Sequence, residues 1–142
     1  QSVTYGQRIG YSNYFNVVPT GSTVWVDLTN PIGGEVWYRN STQTIRFASA
    51  NIPSGAYAVI RLTPMNGTSG ILKQVQVPTN GYIDVRLDTL IVGGDMAYVL
   101  QPGQYVVAIE IYDKLYCEGY CATGNTTARR LGNDSVSYVT IY

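Results

Sequence analysis

The chain has 142 residues, of which 45% are hydrophobic and only 13% charged, and nine Lys and Arg balance nine Asp and Glu to a formal net charge of zero. That length suits one domain able to bury roughly two thirds of its unfolded surface. The sparse, balanced charge offers no basic stripe for phosphates, so nucleic acid is not expected as a partner, and no apolar run approaches the ~20 residues of a membrane span.

The first eleven residues sort by parity. Val3, Tyr5, Ile9 and Tyr11 occupy odd positions and Ser2, Thr4, Gly6, Arg8 and Gly10 even ones, with Gln7 alone breaking the apolar row. Side chains alternate across a strand, so this segment predicts a strand with one apolar and one polar face. Such a strand either pairs within its own sheet or completes the sheet of a neighbouring copy. The chain opens at Gln1 rather than Met, as expected of the product of signal-peptide removal.

Period-two patterning continues along the chain. It predicts strands over 14–18, 22–28, 35–39, 43–49, 56–63, 70–77, 81–87, 96–101, 104–113 and 135–142. Turn formers stand between them, among them Pro53-Ser54-Gly55, Asn80-Gly81 and Gly93-Gly94-Asp95. No stretch carries a helical stripe. Short, regularly spaced strands rich in Val, Ile, Tyr and Thr predict an all-β sandwich of two facing sheets. In the segment 104–113, Tyr105, Val107, Ile109 and Ile111 share one face and Glu110 lies on the other. Its PGQYVVAIEIYD run resembles the penultimate strand of immunoglobulin-like domains, which implies an immunoglobulin-like antiparallel β-sandwich.

Four N-x-[ST] sequons, at Asn40, Asn66, Asn125 and Asn133, favour an exported chain carrying N-linked glycans, each sequon at an expected turn or strand end. The two cysteines stand in CEGYC, and with no His and no further Cys a zinc site lacks ligands. A Cys117–Cys121 disulfide is expected, which restricts the unfolded chain by only about 2 kcal/mol and shapes a loop in an oxidising compartment. The thirteen Tyr and the pair Trp25 and Trp37 suit sheet packing and interfaces first, and a sugar-stacking platform second.

Catalysis has little footing. Without His, neither a Ser-His-Asp nor a Cys-His arrangement can form within the chain. The nine acids are expected at loops and outward strand positions, solvated, and Arg129 and Arg130 read as loop charge. Calcium ligation by Asp88, Asp95 or Asp113 lacks a contiguous loop motif, and no glycine-rich phosphate cradle has its context. No enzymatic activity, metal or cofactor is expected.

Taken together, the amphipathic N-terminal strand, the β-rich body heavy in Tyr and Thr, and the sequons resemble subunits of archaeal surface filaments of the thread and bundling-pilus kind, built by donor-strand complementation. The resemblance implies an extracellular, cell-surface structural subunit. Residues 1–13 would form a donor strand and its hinge at Ser12-Asn13, and 14–142 a single sandwich. Val3, Tyr5, Ile9 and Tyr11 would fill pockets of the next copy, so the partners are copies of the chain itself in a helical polymer. Four buried apolar side chains at about 1.5 to 3 kcal/mol each would make such a joint strong. The alternative is a secreted carbohydrate-binding or adhesive surface domain.

Overall fold

The computed structural model of the protein describes residues 23–117 and 127–142. The expected donor residues Val3, Tyr5, Ile9 and Tyr11, the strand over 14–18, the sequon at Asn125 and Cys121 lie outside the described residues. Ten strands follow in order: β1 (Trp25–Asn30), β2 (Val36–Trp37), β3 (Thr42–Ala50), β4 (Tyr57–Pro64), β5 (Gly70–Gln76), β6 (Tyr82–Arg86), β7 (Thr89–Val92), β8 (Met96–Val99), β9 (Gly103–Tyr112) and β10 (Arg130–Ile141). Among the described residues there is no helix.

The strands form a three-stranded sheet, β1-β3-β6, and a seven-stranded sheet, β2-β10-β9-β4-β5-β7-β8. Their facing sides make one sandwich-like core. Val26, Leu28, Ile45, Phe47, Ile83 and Val85 come from the small sheet, and Ala58, Ile60, Leu62, Val107, Ile109, Ile111, Val139 and Ile141 from the large one. The odd row of β9 is buried as its alternation predicts.

Three features depart from the sequence reading. The sheet is mixed, because β2 runs parallel to β10 through Val36↔Thr140 and Trp37↔Ile141, where an antiparallel sandwich is expected. Strand β7 is unforeseen, since Leu90-Ile91-Val92 is too short an apolar run to show any period. Strand β10 begins five residues before position 135, through Gly132, Asn133 and Asp134. These residue types are depleted in strands, but a ladder with β9 carries them, with two register shifts to accommodate it.

The outer face of the large sheet holds a second, smaller cluster. Val59, Ile71 and Tyr112 are buried there, with Ile91, Tyr116 and Ala128 packed on them. Beside them lies Glu110, expected as a solvated strand acid but only 8% exposed. The reason is its partner. Arg61 of β4, equally buried, donates from Nε and Nη2 to Glu110 at 3.2 and 3.1 Å, and the Tyr116 ring of the segment after β9 lies 5.9 Å from the Arg61 guanidinium. Arg130 is likewise no loop charge, for it opens β10 and stands 3.8 Å from Glu110.

Candidate functional site

A two-sheet body has four edge strands, and each exposes backbone donors and acceptors that a further strand can use. Three of the four are blunted here. On β1, the outward N–H of Leu28 donates to the Asp134 carboxylate of β10 at 2.7 Å. Gly132 permits that approach, because a Cβ there would meet the Val24 side chain at 3.3 Å. Edge β6 carries Asp84 and Arg86 outward, and the Lys73 ammonium donates to the Asp84 carbonyl at 2.6 Å. Edge β2 is only two residues long.

Among the described residues the fourth edge, β8, has no strand on its outer side. All four of its residues, Met96, Ala97, Tyr98 and Val99, are exposed, and none is charged. Among the described residues it pairs with β7 alone, as Thr89↔Val99, Leu90↔Tyr98, Ile91↔Ala97 and Val92↔Met96. The Leu100 N–H donates to the Asp88 carbonyl at 2.9 Å. Counting along the antiparallel ladder from that bond turns the backbone groups of Ala97 and Val99 outward, away from β7. The Val99 carbonyl accepts the Gln101 side-chain amide at 3.2 Å. Directly opposed residues share a face, so Met96 and Tyr98 lie on the core side with Val92 and Leu90. Leu90 is buried, whereas Met96 and Tyr98 are 57% and 52% exposed. The inner apolar face of the large sheet therefore runs out past the described strands of the small sheet.

A groove of about 590 Å³ adjoins this edge, lined by Pro64, Met65, Leu90, Val92, Tyr98 and Val99 among others. Its far wall is the β4–β5 connection, where Asn66 of the second sequon sits exposed on the rim.

The other site residues are dispersed. Asn40 stands in the turn between β2 and β3, with φ 65°, exposed. Asn133, expected at a turn or strand end, instead lies within β10, opposite Glu110, though it too is exposed. Cys117 is buried and disulfide-bonded. The residue before it, Tyr116, stacks on Tyr112 with ring centroids 4.1 Å apart. The Gln74 side chain clamps that segment from both sides, accepting from the Tyr116 N–H at 2.8 Å and donating to its carbonyl at 3.0 Å. Tyr112 in turn donates its hydroxyl to Glu110 at 2.9 Å, and burial, with that carboxylate second, pushes its pKa well above the usual phenol value.

Trp25 and Trp37 are buried, at 7% and 5% exposure, and form no binding shelf. Exposed rings gather instead at the β2 end of the large sheet, where Tyr38 and Tyr142 lie 6.1 Å apart, tilted by 33°. Among the described residues no three acids or cysteines converge on a candidate metal position.

The bare edge was half legible beforehand. The uncharged run MAYVL predicts a strand, but nothing local says that it has one neighbour rather than two. No family model matches the chain, and no curated protein and no solved structure is significantly similar to it.

Proposed function

We propose that the chain is a structural subunit of an extracellular, cell-surface filament, an immunoglobulin-like sandwich that polymerises when the N-terminal strand of one copy docks against the next. It carries N-linked glycans and no catalytic role. The observation that carries this reading is the β8 edge, which among the described residues has no outer strand and no charge, its side-chain cap being the Gln101 amide on the Val99 carbonyl.

The chemistry of the two partners matches. Val3 and Tyr5, or Ile9 and Tyr11, repeat at the same two-residue spacing as Met96 and Tyr98, so a strand laid beside β8 sets its apolar row against theirs. Its backbone would pair with the outward groups of Ala97 and Val99, each bond contributing about 0.5 to 1.5 kcal/mol. Beyond the four residues of β8, the adjoining groove offers apolar lining to the rest of the donor.

The test is microscopy of the exported protein with two variants. Ala97→Pro deletes one outward N–H without touching the β7 ladder, and Tyr98→Lys places a charge on the docking face. Fibres of regular repeat in the wild type, lost in both variants while far-ultraviolet circular dichroism stays unchanged, are expected. Fibres that persist in both would rule out β8 as the acceptor, and their absence from native material would end the filament reading. One feature favours a second reading, a carbohydrate-binding domain: the exposed Tyr38 and Tyr142 rings. Its mark would be glycan-array binding by the monomer that Tyr142→Ala removes.

A further inference from the structure

At the β2 end of the large sheet an aromatic patch and a modification sequence meet. Trp37 and Ile141 point into the core, and alternation puts their neighbours on the outer face. Val36, Tyr38, Tyr138 and Tyr142 are 51%, 61%, 41% and 59% exposed there. Exposed apolar surface gathered in one place calls for an occupant. Directly after Tyr38 comes the turn that leads to β3. The Ser41 hydroxyl donates to the Tyr38 carbonyl at 2.5 Å, and the Asn40 N–H donates to the Leu87 carbonyl at 2.7 Å, so the turn is held at both ends. Its third residue is Asn40, with a positive φ that Asn tolerates better than other side-chain-bearing residues. Asn40, Ser41 and Thr42 form a sequon, and Asn40 and Thr42 are both exposed in the folded chain.

We infer that Asn40 is an N-glycosylation site whose first sugar rings pack on the Tyr38–Tyr142 pair, so that the glycan is a structural cover for this patch; the inference rests on the glycoprotein part of the reading above and not on polymerisation. The donor is a lipid-linked oligosaccharyl phosphate or diphosphate. The bond from the Asn40 side-chain nitrogen to the sugar C1 forms as the C1–O bond to phosphate breaks. The phosphate leaves with the electron pair, and the nitrogen loses one proton to a base of the transferring enzyme; nothing is oxidised or reduced.

One observation selects Asn40 over the other sequons, and turn geometry and ring chemistry support it. Its residue two positions before is aromatic, Tyr38, whereas Asn66, Asn125 and Asn133 have Pro64, Thr123 and Leu131 there. The turn closes from Tyr38 to Ser41 with its ends within about 7 Å, and Asn40 lies between them, two residues from Tyr38. The ring face carries negative quadrupole charge and suits the row of C–H bonds on one side of a pyranose. Asn66, by contrast, borders the groove beside β8, and Asn133 lies within a paired strand.

The experiment is site-resolved glycopeptide mapping of the exported full chain, with thermal melts of wild type, Tyr38→Ala, Tyr38→Phe and the sequon-dead Thr42→Val. Asn40 is expected to carry sugar. Loss of the sugar by Thr42→Val should lower Tm by a few degrees on the Tyr38 background and on Tyr38→Phe, which keeps the ring, but by less than half as much on Tyr38→Ala. An Asn40 found bare while another sequon is modified overturns the inference alone. No sugar at any sequon overturns it together with the glycoprotein reading. A Tyr38→Ala that breaks fibres yet leaves the glycan-dependent Tm shift intact overturns it too, and makes the patch a contact between copies.

Discussion

Glu110 shows how little a residue's own type says about its surroundings. It occupies the polar phase of β9, yet it is buried in a pair with Arg61 that Ser69, Tyr112 and Tyr116 adjoin. Arg61 reaches Ser69 at 3.2 Å and lies 5.9 Å from the Tyr116 ring centroid. A buried ion pair is weak evidence for stability, but breaking one partner strands the other. Arg61→Met is therefore expected to cost about 3 to 5 kcal/mol in denaturant unfolding, because the buried Glu110 keeps the neutral Tyr112 hydroxyl but loses its close cation, with the half-exposed Arg130 3.8 Å away. The double variant Arg61→Met with Glu110→Leu should recover most of that loss. Tyr112 adds a pH signature. Its folded pKa is raised above the phenol value of 10.0 by burial first and the Glu110 bond second. The folded state thus holds its proton more tightly, so this contribution is complete below about pH 10 and is lost as pH climbs through the raised value. Burial raises Tyr105 in the same direction. Tyr112→Phe should flatten the alkaline fall of stability in part, measured by melts from pH 8 upward; an unchanged slope would refute the coupling.

The β7–β8 hairpin is the element on which the proposed function turns, and its seat is a glycine. A Cβ on Gly70 would meet Leu90 Cβ at 2.9 Å and Val92 Cγ2 at 3.0 Å, with the Ile91 carbonyl at 3.3 Å. The hairpin can therefore approach β5 only while position 70 has no side chain, and the register confirms how narrow the contact is, with Ile71↔Ile91 its one ladder pair. Gly70→Val is expected to cost about 1 to 3 kcal/mol by overpacking. The loss should appear first as faster amide exchange in Leu90 to Val99 while β4 and β9 stay protected. Uniform exchange across the sheet would show instead that the hairpin unfolds only with the body. By contrast β9 is laddered to β4 and β10 along both sides, with Tyr105, Val107, Ile109 and Ile111 buried. Ile109→Ala there should cost about 2 to 5 kcal/mol and unfold the molecule as a unit.

For the molecule as a whole, two sheets of unequal width decide what is left over. Among the described residues three strands face seven, so apolar inner surface and an uncharged edge emerge at the β8 end. Bare edges and apolar faces promote association, and a docked donor would remove both at once. A chain lacking residues 1–11 is accordingly expected to export without forming fibres. A synthetic peptide of residues 1–11 should raise its Tm in a concentration-dependent way, since a ligand of the folded state stabilises by mass action. A Tm unmoved at saturating peptide would refute donor docking.

Period-two alternation, turn residues and the absence of any helical stripe were enough to predict nine of the described strands and the apolar row of β9 that buries, because pleat and burial act on neighbours in sequence. The exclusion of a zinc site followed from counting His and Cys alone. Pairing between distant segments was beyond local pattern. It set β2 parallel to β10, carried β10 through Gly132 and Asn133, added the brief β7, and buried Glu110 against an arginine 49 positions away. It also decided which strand has a single neighbour. Exposure of β8 and of the Tyr38–Tyr142 rings depends on where the small sheet stops, and that boundary is a property of packed layers rather than of any one segment.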